Sequence, residues 1–352
     1  MVNGTGQSSR MSVFGLPLVV VCLCVISTAG GPLACHNNSS SKTGFVYDES
    51  YLLHNAGEHH PESPARLRAI IDRLTRDGVL ARLVDIKPSL VSAQWLTSIH
   101  TAEYVERVRQ ASKERQTHLD SRDTGISPES YKVVCLAAGG VLQAVDAVMA
   151  GKVKNVFCAV RPPGHHALSE KAMGFCLFNH VAIAARYLQQ RHGLSRILII
   201  DWDVHHGNGT EAAFYDDPSV LYFSIHQYPF YPGSGSEKKQ GGARGVGYNI
   251  NVPLPAGSGD EQYLKAFEEK LRPLAVRFDP DFVIISAGFD AHQDDPIGEM
   301  QVTTEGFAQM TKIVNQIAEQ CCDGRLVSVL EGGYNLAALS DSVAAHISVL
   351  RE

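Results

Sequence analysis

The sequence predicts an α/β protein, a mostly parallel sheet flanked by helices. Two observations carry the prediction. Five short apolar runs, rich in β-branched residues, show no polar alternation: residues 155–160, 196–200, 220–225, 282–286 and 326–330. A strand buried on both faces reads this way, and such strands belong to parallel sheets covered by helices. Segments with helical spacing separate the runs, around 181–190, 261–277, 305–319 and 336–350. Strand followed by helix, repeated, is the pattern of one layered α/β domain. There is no internal repeat and no composition shift, so 44–352 reads as one domain.

Residues 1–43 differ from the rest. Arg10 precedes an apolar run over 13–29, and Ser27-Thr28-Ala29 offers a small-x-small cleavage site. That is the layout of a secretory signal peptide. The run is short for a membrane span, and Pro17 interrupts it. The segment is a signal-like or flexible extension and predicts export or membrane attachment; a domain without a working leader would be cytoplasmic or nuclear. Asn37-Asn38-Ser39-Ser40-Ser41 reads as a linker whose sequons matter only in a secreted chain.

The helices before the strand series follow. Residues 64–77 carry Leu67, Ile70, Ile71 and Leu74 at helical spacing, with Gly78 as a stop. Thr101 caps a segment that runs to Lys113, with Tyr104, Val105 and Val108 on one face. Ser127-Pro128-Glu129 opens a helix to Met149, with Ser as cap and Pro in the first turn.

The net charge of -6 argues against a nucleic-acid binder that works by phosphate neutralisation. A mildly acidic chain suits a cationic substrate. The eight cysteines show no zinc-ribbon or redox spacing, which predicts no disulfide framework.

Polar residues gather where the strands end. Arg161 to His166 follow the first strand, Asp201 to Asn208 the second, His226 to Tyr231 the third, Gly288 to Asp290 the fourth and Glu331 to Asn335 the fifth. In open α/β sheets the ligand crevice lies outside the carboxyl ends of the strands. Asp203 and His205 are two apart, so on an extended segment both point to one side. Asp290 arrives from another strand. Two carboxylates and one imidazole give three protein ligands and leave positions for substrate and water, as in catalytic sites. Oxygen and nitrogen donors without thiolate fit zinc, with iron(II) or cobalt as alternatives. An isolated Asp-x-His would more simply be a buried hydrogen-bonded pair; Asp290 and the histidine pair favour the metal. His165 and His166 follow the rigid turn Pro162-Pro163-Gly164 and can move protons near neutrality. Two glycines precede Tyr334 and let the backbone turn its ring inward. A phenol facing a metal can donate to a developing oxyanion; packing in a turn is the plainer alternative.

The strings Arg161 to Ala167, Gly174 to Asn179, Asp201 to Thr210, Ser286 to Ala291 and Glu331 to Asn335 resemble the zinc-dependent histone deacetylase family. The likeness is strongest to the class II type and to bacterial histone deacetylase-like amidohydrolases. It implies the single-domain arginase/deacetylase fold around an eight-stranded sheet. It implies that Asp203, His205 and Asp290 hold one Zn2+. His166 would be the main general base and acid, backed by Asn208, with His165 assisting, backed by Asp201. Tyr334 would polarise the acetyl carbonyl. Gly174, Phe175 and Tyr231 would line a narrow tunnel for acetyl-lysine. A K+ ion would sit on Asp201, Asp203, His205, Ser224 and Ile225, partly through backbone carbonyls. The implied partners are acetylated lysine peptides or proteins, histones among them. No direct contact with nucleic acid is implied, and a homo-oligomer is left open.

The chain departs from the family at His180, where a second Asn is usual; altered local hydrogen bonding is expected there. A related subgroup acts on polyamines and carries a gatekeeping Glu seven residues after the last metal ligand. Here that residue is Ile297, which gives a polyamine cation no partner and favours acetyl-lysine. An arginase-like two-metal site wants a carboxylate two residues after His205, where Gly207 stands. A non-catalytic acetyl-lysine binding module would tolerate loss of the tyrosine, which this chain keeps.

Overall fold

Each of the five apolar runs becomes a strand buried along its whole length in the computed structural model, which describes residues 42–352 and a few isolated positions ahead of them. The signal-like segment lies outside the described residues. Residues 42–352 belong to one compact unit. The strands are β1 (Thr43–Val46), β2 (Val84–Ile86), β3 (His118–Leu119), β4 (Ser121–Gly125), β5 (Asn155–Cys158), β6 (Ile197–Asp201), β7 (Val220–Gln227), β8 (Asn249–Leu254), β9 (Phe282–Ala287) and β10 (Leu326–Leu330). Eight form one sheet in the order β2-β1-β5-β10-β9-β6-β7-β8, with every pair parallel. The eight-stranded α/β architecture is therefore observed. The three sheet strands not apparent in the sequence are β1 and β2, which are very short, and β8, which mixes Asn249, Asn251 and Pro253 with its apolar residues. β2 and β8 are the sheet edges, where partial exposure removes the need for a continuous apolar run, whereas β1 is buried but only four residues long.

Parallel pairing sends all carboxyl ends to one rim. β5, β10, β9, β6 and β7 are neighbours, so the five polar segments emerge side by side. In-register pairing sets Asp201 beside Ser224 and beside Ser286. The helices Ser130–Met149, His180–His192, Thr304–Cys322 and Leu336–Leu350 cover the sheet with apolar faces.

Two helix boundaries differ from expectation. The helix expected from Ser127 starts at Ser130, with Glu129 as N-cap. Ser127 instead donates its backbone N–H to Ser130 Oγ at 2.8 Å, closing a turn ahead of the helix onto its first residue. The segment over 261–277 is interrupted: Asp260–Ala266 is α, Phe267–Leu271 is π and Arg272–Phe278 is α again. Pro273 has no N–H to give to the preceding turn, and a π segment is one way to absorb that loss.

A buried ion pair fixes the turn that carries the histidines. Arg161 is fully buried and donates Nε to Glu62 Oε1 at 2.7 Å and Nη2 to Glu62 Oε2 at 2.8 Å. Its Nη1 reaches the carbonyls of Tyr51 and His54, each at 2.8 Å. Burial alone would raise the Glu62 carboxyl, but Arg161 and His54 hold it well below the usual range. Breaking such a pair leaves an uncompensated buried charge. Glu62→Ala is predicted to lower unfolding free energy by about 3–5 kcal/mol in urea titrations; a loss under about 1 kcal/mol would mean the pair is not holding the turn.

Candidate active site

Asp203, His205 and Asp290 each present one ligand atom, and these atoms lie within 4.8 Å of one another. All three residues are buried. The local reason differs from the sequence expectation. Asp203 and His205 lie past the end of β6, in a bend rather than an extended strand. Asp203 Oδ1 accepts the His205 backbone N–H at 2.9 Å and stands 3.0 Å from His205 Nδ1, which folds the pair together. Asp290 follows β9; its Oδ1 accepts the Val204 N–H at 2.9 Å, tying the two strand ends.

The charges here do not balance. Asp290 Oδ2 is buried without a hydrogen bond, although it lies 3.3 Å from the His205 Nδ1 that already faces Asp203. One N–H cannot serve both carboxylates, whereas a cation can. Burial and then Asp203 push the Asp290 carboxyl up to about 7. Burial favours a neutral His205, but the two carboxylates outweigh it and raise the ring to about 9. One buried carboxylate, Asp290, is driven toward its protonated form beside an ionised Asp203, and a cation between them would relieve that cost. The residues therefore fit a divalent metal with oxygen and nitrogen ligands. Gly332 makes room for it: a Cβ there would stand 2.0 Å from Asp290 Oδ2.

The histidine pair sits beside this cluster, with ring centroids 4.0 Å apart. His166 Nδ1 lies 2.8 Å from Asn208 Oδ1, while the Asn208 Nδ2 turns to the Met173 sulfur at 3.3 Å. A carbonyl oxygen only accepts, so Nδ1 carries the hydrogen and Nε2 is left as an acceptor. Burial, then His165 and His205, hold the His166 ring well below its usual range and keep it neutral. His165 Nδ1 donates to Asp201 Oδ2 at 3.1 Å. Burial opposes charge on His165, yet Asp203 and Asp201 raise it to about 10. The two imidazoles thus differ in charge, with the neutral one suited to accept a proton.

A cavity of about 200 Å³ leads to both histidines, with Gly174, Phe175, Tyr231, Ile297 and Tyr334 among its walls. Tyr334 is kept as a phenol by burial and by Asp290, against the opposing pull of Arg66. Gly174 adopts φ +57, and a Cβ there would meet His166 Cδ2 at 2.2 Å. A larger groove of about 790 Å³, lined by Glu268, Lys312 and Glu352, lies elsewhere and contains none of this chemistry.

A family profile described as "Histone deacetylase domain" matches residues 60–350. The chain belongs to the histone deacetylase family. It is 40% identical to a "Probable deacetylase" of Archaeoglobus fulgidus over 88% of this chain and 89% of that one. It is 43% identical to "Histone deacetylase 15" of Arabidopsis thaliana over 89% of this chain and 57% of that one. It is also 43% identical to a "Polyamine deacetylase" of Homo sapiens over 88% of this chain and 48% of that one. The chain thus spans most of the archaeal relative but only about half of the plant and human ones. The solved structure of the HDA15 HD domain matches with a TM-score of 0.85 at 42% identity, covering 88% of this chain and 90% of that chain. This family member is an amide hydrolase, a deacetylase of a family that is zinc-dependent in general.

The remaining deacetylase-family residues fall as follows. Asp201 Oδ2 also accepts from the Tyr222 hydroxyl at 2.9 Å, and its Oδ1 accepts the Asp203 N–H at 3.2 Å. Ser224 Oγ lies 2.9 Å from His226 Nδ1, and Ile225 follows it on β7. His180 opens the helix after the Asn179 cap, and its Nε2 donates to the Pro162 carbonyl at 3.0 Å. That contact braces the turn bearing the histidine pair.

Sequence reasoning assigned no role to four residues that matter. Glu331 accepts the backbone N–H of Gly164 at 2.7 Å and the Ser286 hydroxyl at 2.9 Å, joining three strand ends. Asp295 accepts the N–H of Tyr334 at 2.7 Å and that of Ile297 through its other oxygen at 3.0 Å. Asp123 and Phe230 line the cavity. The ring of Phe230 stacks on His205 at 5.3 Å. Its place beside Tyr231 was the available signal; the β3–β4 hairpin that carries Asp123 has no hydrophobic pattern to announce it.

Removing one acidic ligand should show in metal content. Asp290→Asn is predicted to retain under a tenth of the zinc that wild type holds at about one ion per chain after dialysis, at least the tenfold affinity loss typical of lesser perturbations around a ligand. Full retention, read by elemental analysis of the folded variant, would remove Asp290 from the ligand set.

Proposed function

We propose that the chain removes acetyl groups from the ε-amine of acetyl-lysine in proteins, by water attack with a histidine acting as general base and acid. The observation that carries this reading is the neutral His166, its Nε2 free, beside the Asp203, His205 and Asp290 cluster at the end of a narrow aromatic-walled cavity. A Zn2+ held by those three residues would polarise the acetyl carbonyl and acidify water. The protein's own groups do the rest. Phe175 and Tyr231 exclude solvent along a thin aliphatic chain. Tyr334 donates its hydroxyl hydrogen to the carbonyl oxygen as negative charge develops there. His166 Nε2 accepts the proton of the attacking water and returns it to the leaving nitrogen. Asn208 holds the His166 tautomer throughout. The amide C–N bond breaks, and acetate and a free amine result.

We also propose a K+ ion on Asp201, Asp203, His205, Ser224 and Ile225, whose side-chain and backbone oxygens suit a hard cation. Acetylpolyamine is the second substrate reading, favoured by the likeness to the human polyamine deacetylase. Ile297 on the cavity wall speaks for lysine, because it offers no charge to a polyamine nitrogen.

Purified zinc-loaded protein, assayed on acetyl-lysine peptide and on acetylated polyamine, is expected to prefer the peptide. Tyr334→Phe is predicted to cut kcat by roughly 10²–10³, the effect of removing one oxyanion donor. Unchanged kcat would remove the tyrosine from the reaction; turnover of polyamine alone would reverse the substrate assignment.

A further inference from the structure

Asn208 fixes which nitrogen of His166 carries the hydrogen, so whatever orients Asn208 also governs the base. The end of the Asn208 side chain is a planar amide, with a carbonyl that only accepts and an NH2 that only donates. Turned one way, Oδ1 meets His166 Nδ1, the hydrogen sits on Nδ1, and Nε2 is left to accept. Turned by half a rotation, the NH2 meets Nδ1, the hydrogen moves to Nε2, and the ring cannot take a proton there from water. The two orientations have almost the same shape, so packing does not choose between them.

The backbone on both sides of this contact is fixed. Asn208 opens the helix Asn208–Phe214 and donates its N–H to the His206 carbonyl at 2.9 Å. Gly209 donates to the His165 carbonyl at 3.0 Å. Across from it, Ala172 donates its N–H to Asp120 Oδ2 at 2.8 Å, and Cys176 donates to the Met173 carbonyl at 3.0 Å, closing a turn. What remains free is the half rotation of the amide. Among the described residues the amide has two hydrogen-bond contacts, Oδ1 with His166 Nδ1 at 2.8 Å and Nδ2 with the Met173 sulfur at 3.3 Å. The imidazole does not decide between orientations, because its tautomer adjusts to either. The sulfur does. A thioether accepts weakly and donates nothing, so it takes the NH2, and a turned amide sets acceptor against acceptor. Both side chains are half-buried. Water that reaches them donates and accepts alike, and favours neither orientation.

We propose that Met173 is a positioning residue for the general base: its sulfur holds the Asn208 carbonyl toward His166 and so keeps the His166 hydrogen on Nδ1. This rests on the reading of His166 as the base of a deacetylase. Met173 is not among the cavity walls, so its loss acts on kcat rather than on KM.

The test reads the tautomer directly. Zinc-loaded protein with isotope-labelled histidine gives, by long-range proton–nitrogen NMR, the share of His166 with its hydrogen on Nδ1. A His166→Gln sample assigns the signals, and thermal melting reports folding of every variant. Met173→Leu nearly conserves volume and removes the acceptor. Wild type is expected almost wholly in the Nδ1–H form. In Met173→Leu that share is expected to fall to about one half, the population of two states of equal free energy, and kcat on the acetyl-lysine peptide to fall about twofold at unchanged KM. Norleucine incorporated in place of methionine exchanges sulfur for methylene at nearly constant shape and should give the same shift. Asn208→Asp supplies the control, since a carboxylate presents an acceptor whichever way it turns. In that background, adding Met173→Leu is expected to change neither tautomer nor kcat. A wild-type share of Nδ1–H in folded Met173→Leu would overturn the proposal. So would an equal loss in both backgrounds, the result of a merely structural role for Met173. The tautomer is read without turnover. If no acetylated substrate reacts, the deacetylase reading fails alone, and the NMR comparison still decides the role of Met173.

Discussion

The site depends on the cost of burying two carboxylates next to each other. Asp203 and Asp290 are both fully enclosed, and each repels the charge on the other. In a low-dielectric interior that repulsion is not screened, and neighbouring donors only partly relieve it. His205 relieves part of it, and the Gly332 and Val204 backbone N–H groups relieve more. What remains is a deficit that a divalent ion removes. The same field explains the histidine pair. His165 lies against Asp201 and is held as a cation, and that charge then helps keep His166 neutral. The acid–base asymmetry is thus a consequence of where the negative charge is buried.

The fold serves this arrangement by convergence. Five neighbouring parallel strands deliver their ends to one rim, and buried polar groups tie those ends together. Glu331 joins the ends of β10 and β9 to the turn after β5. Arg161 and Glu62 anchor that turn from below. Asp295 couples the Tyr334 loop to the Ile297 loop. These contacts hold side chains within the small tolerances that catalysis requires.

Much of this was legible in the chain. Continuous apolar runs announced the central strands because both faces of each are covered. The polar strings after them announced the rim, and Asp203, His205, Asp290, His165, His166 and Tyr334 do come together there. The illegible parts have physical reasons. β1 and β2 are too short to show a pattern, and β8 sits at an edge where polar residues are tolerated. The bend holding Asp203 and His205 arises from hydrogen bonds to Asp203 itself, which strand geometry does not foresee. The β3–β4 hairpin is polar and local, so Asp123 looked like any surface acid. Glu331 and Asp295 act on backbone N–H groups far away in sequence, which spacing cannot reveal.

The most direct measurement is a crystal structure of the zinc-loaded protein with anomalous data on both sides of the zinc edge. The account predicts one strong anomalous peak bonded to Asp203, His205 and Asp290, with His166 beside it. A peak at other residues, or none at this cluster in a crystal of zinc-loaded, folded protein, would contradict it.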